Sequence, residues 1–247
     1  MARHRMIVAA TPTLGNVRAE WSMAYSNIQW PTNTVIGKIM EFDKRIAEAR
    51  NAIVSKALAL DDDSIEVTHI FWLDDDVLCY RDALKALYLR HLPICSGVYF
   101  TKSDAAEPLI YAGPLQGSEP FMPDRLLPVW GHGMGLTLIE TSVYRRMAAT
   151  CDLGRDEYGN PAWYRTISGE THIEGARENV MDITEDLYFL DLAGKLGYQP
   201  HVDTTRPAFG WHYDGAAKRG YPRPQWDERQ RVGTITWDTP EGKVVWQ

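Results

Sequence analysis

Along this chain, short runs of apolar residues with almost no polar alternation take turns with stretches whose apolar positions recur every three or four residues. Met6–Ala10 and Val67–Leu73 are runs of the first kind, apolar, β-branched or aromatic, which suits strands buried on both faces of a parallel sheet. Thr11-Pro12-Thr13-Leu14-Gly15 closes the first run in the manner of a strand-to-loop junction at a ligand crevice. The stripe Ile39, Phe42, Ile46, Ala49, Ile53, Ala57 and Leu60 predicts a helix over 38–60. Asp82 is placed to cap a helix through Leu89, and Ile94–Phe100 reads as the next strand. Residues 101–128 form a long Pro-, Gly- and Asp-rich connection, after which Val129–Ile139 reads as a Gly-kinked strand. Residues 150–181 read as a substrate-facing loop. A helix follows over 182–196 with Gly197 at its end, and a terminal hairpin joins Val232–Trp237 to Lys243–Trp246. Strands alternating with helices predict an α/β, Rossmann-like fold around a mostly parallel sheet.

A chain of 247 residues is long enough for a substantial core yet ordinary for one α/β unit. The expected organisation is one domain over 1–213 with an extension over 214–247 packed on it. The formal charge of −7 disfavours broad contact with nucleic acid or an anionic membrane. No apolar run spans a bilayer and no secretory signal is evident. Cys79, Cys95 and Cys151 form neither a disulfide framework nor a metal-binding spacing, which fits a reducing cytoplasm.

Chemistry concentrates at Asp74, Asp75 and Asp76, directly after the Val67–Leu73 strand. Ligands of open α/β sheets bind beyond the carboxyl ends of the strands. Adjacent carboxylates repel, so holding them together favours a bound cation, and oxygen donors select Mg²⁺ or Mn²⁺. An Asp-rich turn bonding its own backbone is the plainer alternative. Arg50 lies along the apolar stripe of its helix, where a guanidinium needs a carboxylate or phosphate partner.

The order of these pieces resembles glycosyltransferases of the GT-A fold, especially family 2-like enzymes and their small phage-encoded relatives. The matching segments are Ala9–Thr13, Ala49-Arg50-Asn51, Phe71–Val77 with its Asp-x-Asp, Gly133–Ile139, Thr184-Glu185-Asp186, and Gly210-Trp211-His212. Together they cover residues 6–213. The resemblance implies Mn²⁺ or Mg²⁺ held by Asp76 with Asp74 and a later His212, bridging the diphosphate of a nucleotide-sugar donor such as a UDP-sugar. It implies a donor pocket bordered by Thr11, Pro12, Thr13, Arg50, Asp74, Asp75, Gly133 and Gly135. Asp186 would take the proton of the acceptor hydroxyl, with Glu185 beside it; the acceptor is a carbohydrate or another hydroxyl compound. His201 competes with His212 as a ligand, and His132 is a further candidate contact.

Each site residue also has a structural reading. Asp182 or Thr184 can cap the helix, with Glu185 completing a capping box; the glycines can mark a bulge; a histidine can simply pack. Processive synthases of the family carry Gln-x-x-Arg-Trp and membrane helices, which this chain lacks, so a non-processive, inverting transfer is expected. The rival readings are a metal-dependent phosphohydrolase or nucleotidyltransferase, and a carbohydrate-binding module offering its many Trp and Tyr faces to sugar rings.

Overall fold

A computed structural model describes residues 3–103, 106–113, 121–167, 183–216, 218–221, 225–227, 232–239 and 242–246. The first half contains β1 (His4–Pro12), α1 (Ala19–Ser26), β2 (Val35–Glu41), α2 (Ile46–Leu58), β3 (Ile65–Leu73), β4 (Val77–Cys79), α3 (Ala83–Tyr88), β5 (Ile94–Gly97) and β6 (Ile110–Tyr111). There follow β7 (Leu126–Pro128), β8 (Gly131–His132), β9 (Leu136–Glu140), α4 (Thr141–Thr150), α5 (Glu185–Lys195) and β10 (His201–Asp203). The chain continues through β11 (Gly210–Asp214), β12 (Arg219–Tyr221), β13 (Gln225–Asp227), β14 (Val232–Thr239) and β15 (Gly242–Trp246).

Seven strands form the central sheet in the order β2-β1-β3-β9-β5-β10-β7. β1 runs parallel to β2 and β3, and β5 parallel to β10, whereas β9 and β7 run against their neighbours. The result is an α/β fold with a mostly parallel sheet between layers of helix. Side chains of successive strand residues point to opposite faces, and this divides the two buried strands between the layers. Met6, Val8, Ala10, Ile70 and Trp72 join Ile53, Val54, Tyr144 and Phe189 in one cluster. Ile7, Phe71 and Leu73 join Trp21, Leu84 and Leu87 in another. Among the described residues no helix is long and apolar enough to cross a membrane.

Several sequence expectations need correction. The 38–60 stripe does not form one helix: Val35–Glu41 is the edge strand β2, Asp43 turns the chain at φ 59, and the helix starts at Ile46. Phe42 and Leu60, two apolar members of the stripe, are exposed. Of the stripe only Ile39 lies in β2, where most side chains are uncovered on the sheet faces, and it fell by coincidence into helical spacing with the residues of α2. Val129–Ile139 is likewise two strands. β8 pairs with β6, and after Gly133–Gly135 the chain enters the central sheet as β9, antiparallel between β3 and β5. Asp82 stands at the N-cap of α3 without a side-chain capping bond.

The long connection over 101–128 contains β6 and β7. In the loop over 150–181, Trp163 and Tyr164 are buried in the core, Tyr164 stacking on Phe189 at 4.7 Å. They are apolar payload, not loop surface. Residues 168–182, Asp182 among them, lie outside the described residues, while Glu185, the other half of the expected capping box, accepts from Arg50. α5 ends as expected before Gly197, whose φ of 86 suits a glycine after a helix. The terminal hairpin is present as β14 and β15. The domain boundary expected at 213 falls within β11.

Candidate functional site

The geometry of the site follows from where β3 stops. Leu73 pairs with Leu136 on β9, and Asp74 N–H donates to Gly135 O at 3.1 Å, so the acidic segment leaves the sheet beside the Gly133–Gly135 bend. Val77 N–H then donates to Asp74 O at 3.0 Å, closing a turn that presents the three aspartates at the carboxyl ends of β1 and β3. Trp21 Nε1 donates to the same Asp74 carbonyl at 2.8 Å and braces the turn from below.

The three carboxylates have different partners. Asp75 Oδ2 accepts from Thr13 Oγ1 at 2.5 Å, tying the end of β1 to the turn. Thr11 and Pro12 lie within β1, and Thr11 and Thr13 are buried. Asp74 Oδ2 accepts from Arg50 Nη2 at 3.0 Å. Arg50 Nε also donates to Glu185 Oε1 at 3.2 Å, and the guanidinium lies 5.1 Å from the centre of the Trp72 ring. Burial opposes the charge on Arg50, but Asp74 and Glu185 outweigh it and hold the guanidinium firmly protonated. Burial likewise raises the Asp74 carboxyl above its ordinary range despite Arg50 beside it. Asp74 Oδ1 and Arg50 Nη1 remain buried without a hydrogen-bond partner.

Asp76 faces outward to Lys102, with which it forms an ion pair, and to His212. β11 brings the histidine there by pairing antiparallel with β4, His212 opposite Val77, and Tyr213 N–H donates to Asp76 O at 2.6 Å. His212 Nδ1 donates to Phe100 O at 2.6 Å, which leaves the lone pair on Nε2, 3.8 Å from Asp76 Oδ1. Burial lowers the His212 pKa, favouring the neutral, ligating form. His201, on β10, instead has Nδ1 bonded to Gln199 O.

Asp186 is in the first turn of α5. Its Oδ1 accepts from Leu187 N–H at 2.8 Å and from the Thr184 hydroxyl, so Thr184 serves Asp186 and makes no side-chain cap of its own. Burial raises the Asp186 pKa, and Asp74 adds to the rise through space. The Tyr99 phenol feels the charges of both Asp74 and Asp186. Its pKa is pushed well up by burial first, then by Asp74 and Asp186, and it accepts from Gly135 N–H at 2.7 Å. A Cβ at Gly133 would strike that phenol, and one at Gly135 would come within 2.9 Å of Asp74 Oδ2 and Val77 Cγ2. Both glycines are therefore needed for the protein's own close packing. His132 is buried with Nδ1 on Gly133 O.

Most of the residues singled out in the sequence thus meet around one turn: Thr13, Arg50, the three aspartates, Gly135, Glu185, Asp186 and His212. Tyr99 and Lys102 were not singled out; their signal was position, at and just beyond the carboxyl end of the Ile94–Phe100 run. Among the described residues no group of three or more His, Cys, Asp or Glu side chains is gathered to hold a metal ion. Asp76 and His212 offer a carboxylate oxygen and an imidazole lone pair, which fits a hard divalent cation that takes its other ligands from phosphate and water. The loop after α4 lines a cavity of about 530 Å³ beside Arg45, Glu48, Asn51 and Tyr164.

The sequence matches no protein-family model and no curated protein. In fold, the chain is similar to the crystal structure of A197 from STIV, with TM-score 0.53 and 15% identity over 94% of this chain and 93% of that one. It has a weaker likeness to the nucleoside-diphosphate-sugar pyrophosphorylase from Vibrio cholerae RC9, with TM-score 0.39 and 12% identity over 82% of this chain and 93% of that one. The second overlap falls below what a shared fold requires. The first extends to fold alone.

Proposed function

We propose that this chain is a metal-dependent, non-processive glycosyltransferase of the GT-A type, moving a sugar from a nucleoside-diphosphate donor such as a UDP-sugar to a hydroxyl acceptor with inversion. The observation that carries this reading is the pairing of Asp76 with His212, together with a separate, partly buried carboxylate, Asp186, within electrostatic reach of the neighbouring Asp74. Two carboxylate environments, one open beside a histidine and one desolvated, suit two jobs. In the proposed reaction the acceptor hydroxyl attacks the anomeric carbon, the bond to the diphosphate breaks, and the nucleoside diphosphate departs with the bonding pair. The hydroxyl proton passes to Asp186, whose raised pKa makes it a stronger base than an ordinary aspartate. Thr184 and Leu187 N–H hold that carboxylate in one orientation.

Asp76 and His212 are the residues that would hold Mn²⁺ or Mg²⁺, which would offset the charge growing on the leaving diphosphate. Arg50 does not reach for substrate in this reading. With Asp74 and Glu185 on two of its donors, it is the buried strut that fixes the aspartate turn against α5. Thr13 and Asp75 border the donor on the β1 side.

The test is a thermal-shift series of nucleoside-diphosphate sugars with and without Mn²⁺, followed by product analysis. A ligand bound at about one hundred times its Kd adds about 2.7 kcal/mol to the folded state. The reading expects that gain only when UDP-sugar and metal are both present, and UDP release that requires an acceptor. Rapid hydrolysis of a nucleotide or phosphodiester without acceptor would replace it with the phosphohydrolase reading.

A further inference from the structure

We infer that Lys102 is a resident counter-cation of this site: it neutralises Asp76 when no donor is bound and transfers to the incoming diphosphate, so that metal and nucleotide enter together. The inference rests on the proposed function and adds to it a residue and a coupling between two ligands.

Asp76 is bracketed by two neighbours that one chain segment sets in place. His212 has its ring fixed by Phe100 O, and Lys102 follows Phe100 by two residues to pair with Asp76 Oδ2. The segment is pinned on both sides of the lysine. Thr101 N–H donates to Glu107 O at 2.8 Å, the Thr101 and Ser103 hydroxyls are 2.8 Å apart, and Ala106 N–H donates to Ser103 O at 3.1 Å. Among the described residues Arg50 cannot substitute, since it is buried with two bonds to Asp74 and Glu185. Lys102 has a long, flexible stem and its side chain is 39% exposed, so its ammonium can swing without disturbing the backbone.

The electrostatics give the pairing a consequence. An ammonium and a divalent cation compete for the same carboxylate, and each repels the other across the short space beside His212. A metal arriving alone beside Oδ1 and His212 therefore binds against the charge of Lys102 on Oδ2. A diphosphate arriving with the metal supplies phosphate oxygens that accept the ammonium, and the cost of breaking the ion pair is offset. Linkage requires the effect to be mutual: the nucleotide tightens the metal by the factor that the metal tightens the nucleotide.

The test measures free Mn²⁺ by electron paramagnetic resonance in titrations of the full chain, with and without UDP, for the wild type, Lys102→Met and Lys102→Arg. Without nucleotide, Lys102→Met is expected to bind Mn²⁺ about tenfold more tightly than wild type, and Lys102→Arg like wild type. The factor by which UDP tightens Mn²⁺ is expected to fall about tenfold in Lys102→Met. Thermal melting of each variant confirms that the fold persists. If wild type binds Mn²⁺ with UDP but Lys102→Met leaves the nucleotide-free affinity unchanged, the counter-cation role is overturned and the metal site stands. If no variant binds Mn²⁺ with or without UDP, the metal-dependent reading itself falls, and the coupling with it.

Discussion

His212 Nε2 lies 3.8 Å from Asp76 Oδ1, although most of the chain separates the two residues in sequence. The distance is too long for a hydrogen bond, and with Nδ1 donating to Phe100 O both facing atoms are lone-pair donors. His212→Ala is therefore expected to weaken Mn²⁺-supported nucleotide binding, with the deficit shrinking at high Mn²⁺. Isothermal titration of UDP at several Mn²⁺ concentrations checks this. The same titration of His201→Ala, whose ring is bonded to Gln199 O, should match wild type.

Asp76→Asn should all but abolish Mn²⁺-dependent transfer while leaving the melting temperature within a few degrees of wild type. The side chain is 30% exposed, its ion-pair partner Lys102 is itself exposed and His212 makes no hydrogen bond to it, so little packing depends on its charge. Wild-type transfer and metal dependence in this variant would remove Asp76 from the site.

Arg50→Met should cost about 3–5 kcal/mol of stability, because it strands Asp74 and Glu185 as buried carboxylates without their shared cation. Urea denaturation measures it. Loss of less than about 1 kcal/mol would class the triad with exposed ion pairs.

Asp186→Asn should lower turnover by about 10²–10⁴-fold with little change in donor affinity. The sign of the pH effects separates base from cap. Burial raises the folded-state pKa of Asp186 above the ordinary aspartate value, so its contribution to stability is full below the unfolded pKa and is lost as pH rises through the folded one. Activity runs the other way, rising as the carboxylate ionises, with a limb displaced above the ordinary aspartate range. The asparagine variant should lose that limb and be no less stable than wild type at neutral pH. Equal falls in melting temperature and turnover would assign Asp186 to holding the start of α5.

Gly133→Ala should destabilise the fold by about 1–3 kcal/mol, since the added methyl meets the Tyr99 phenol in a closed interior. Gly159→Ala provides the contrast: its Cβ meets nothing, and any cost there comes from its φ of 82 alone. A tolerated alanine at 133 would mean that the bend before β9 can relax.

What the sequence by itself determined is the local frame. The uninterrupted apolar runs marked β1 and β3, the helical spacing and Gly197 marked α5, and the acidic cluster was legible as the stop of a buried strand. Arg50 announced a buried partner because a guanidinium on an apolar stripe must have one. Such signals depend on burial and on neighbours a few residues away, which periodicity records. Tertiary structure alone decided the rest. The edge strand β2 was read into a helix because most of its side chains are uncovered and so are not under the packing that enforces alternation. The antiparallel insertion of β9, which sets Gly135 against Asp74, was invisible because strand direction is chosen by pairing partners, not by composition. The choice of Asp74 and Glu185 for Arg50, of Thr13 for Asp75, and of Lys102 for Asp76 depends on groups brought together from distant segments, and no local pattern carries that information; only the grouping of His212 with Asp76 was implied beforehand, by the order of the segments.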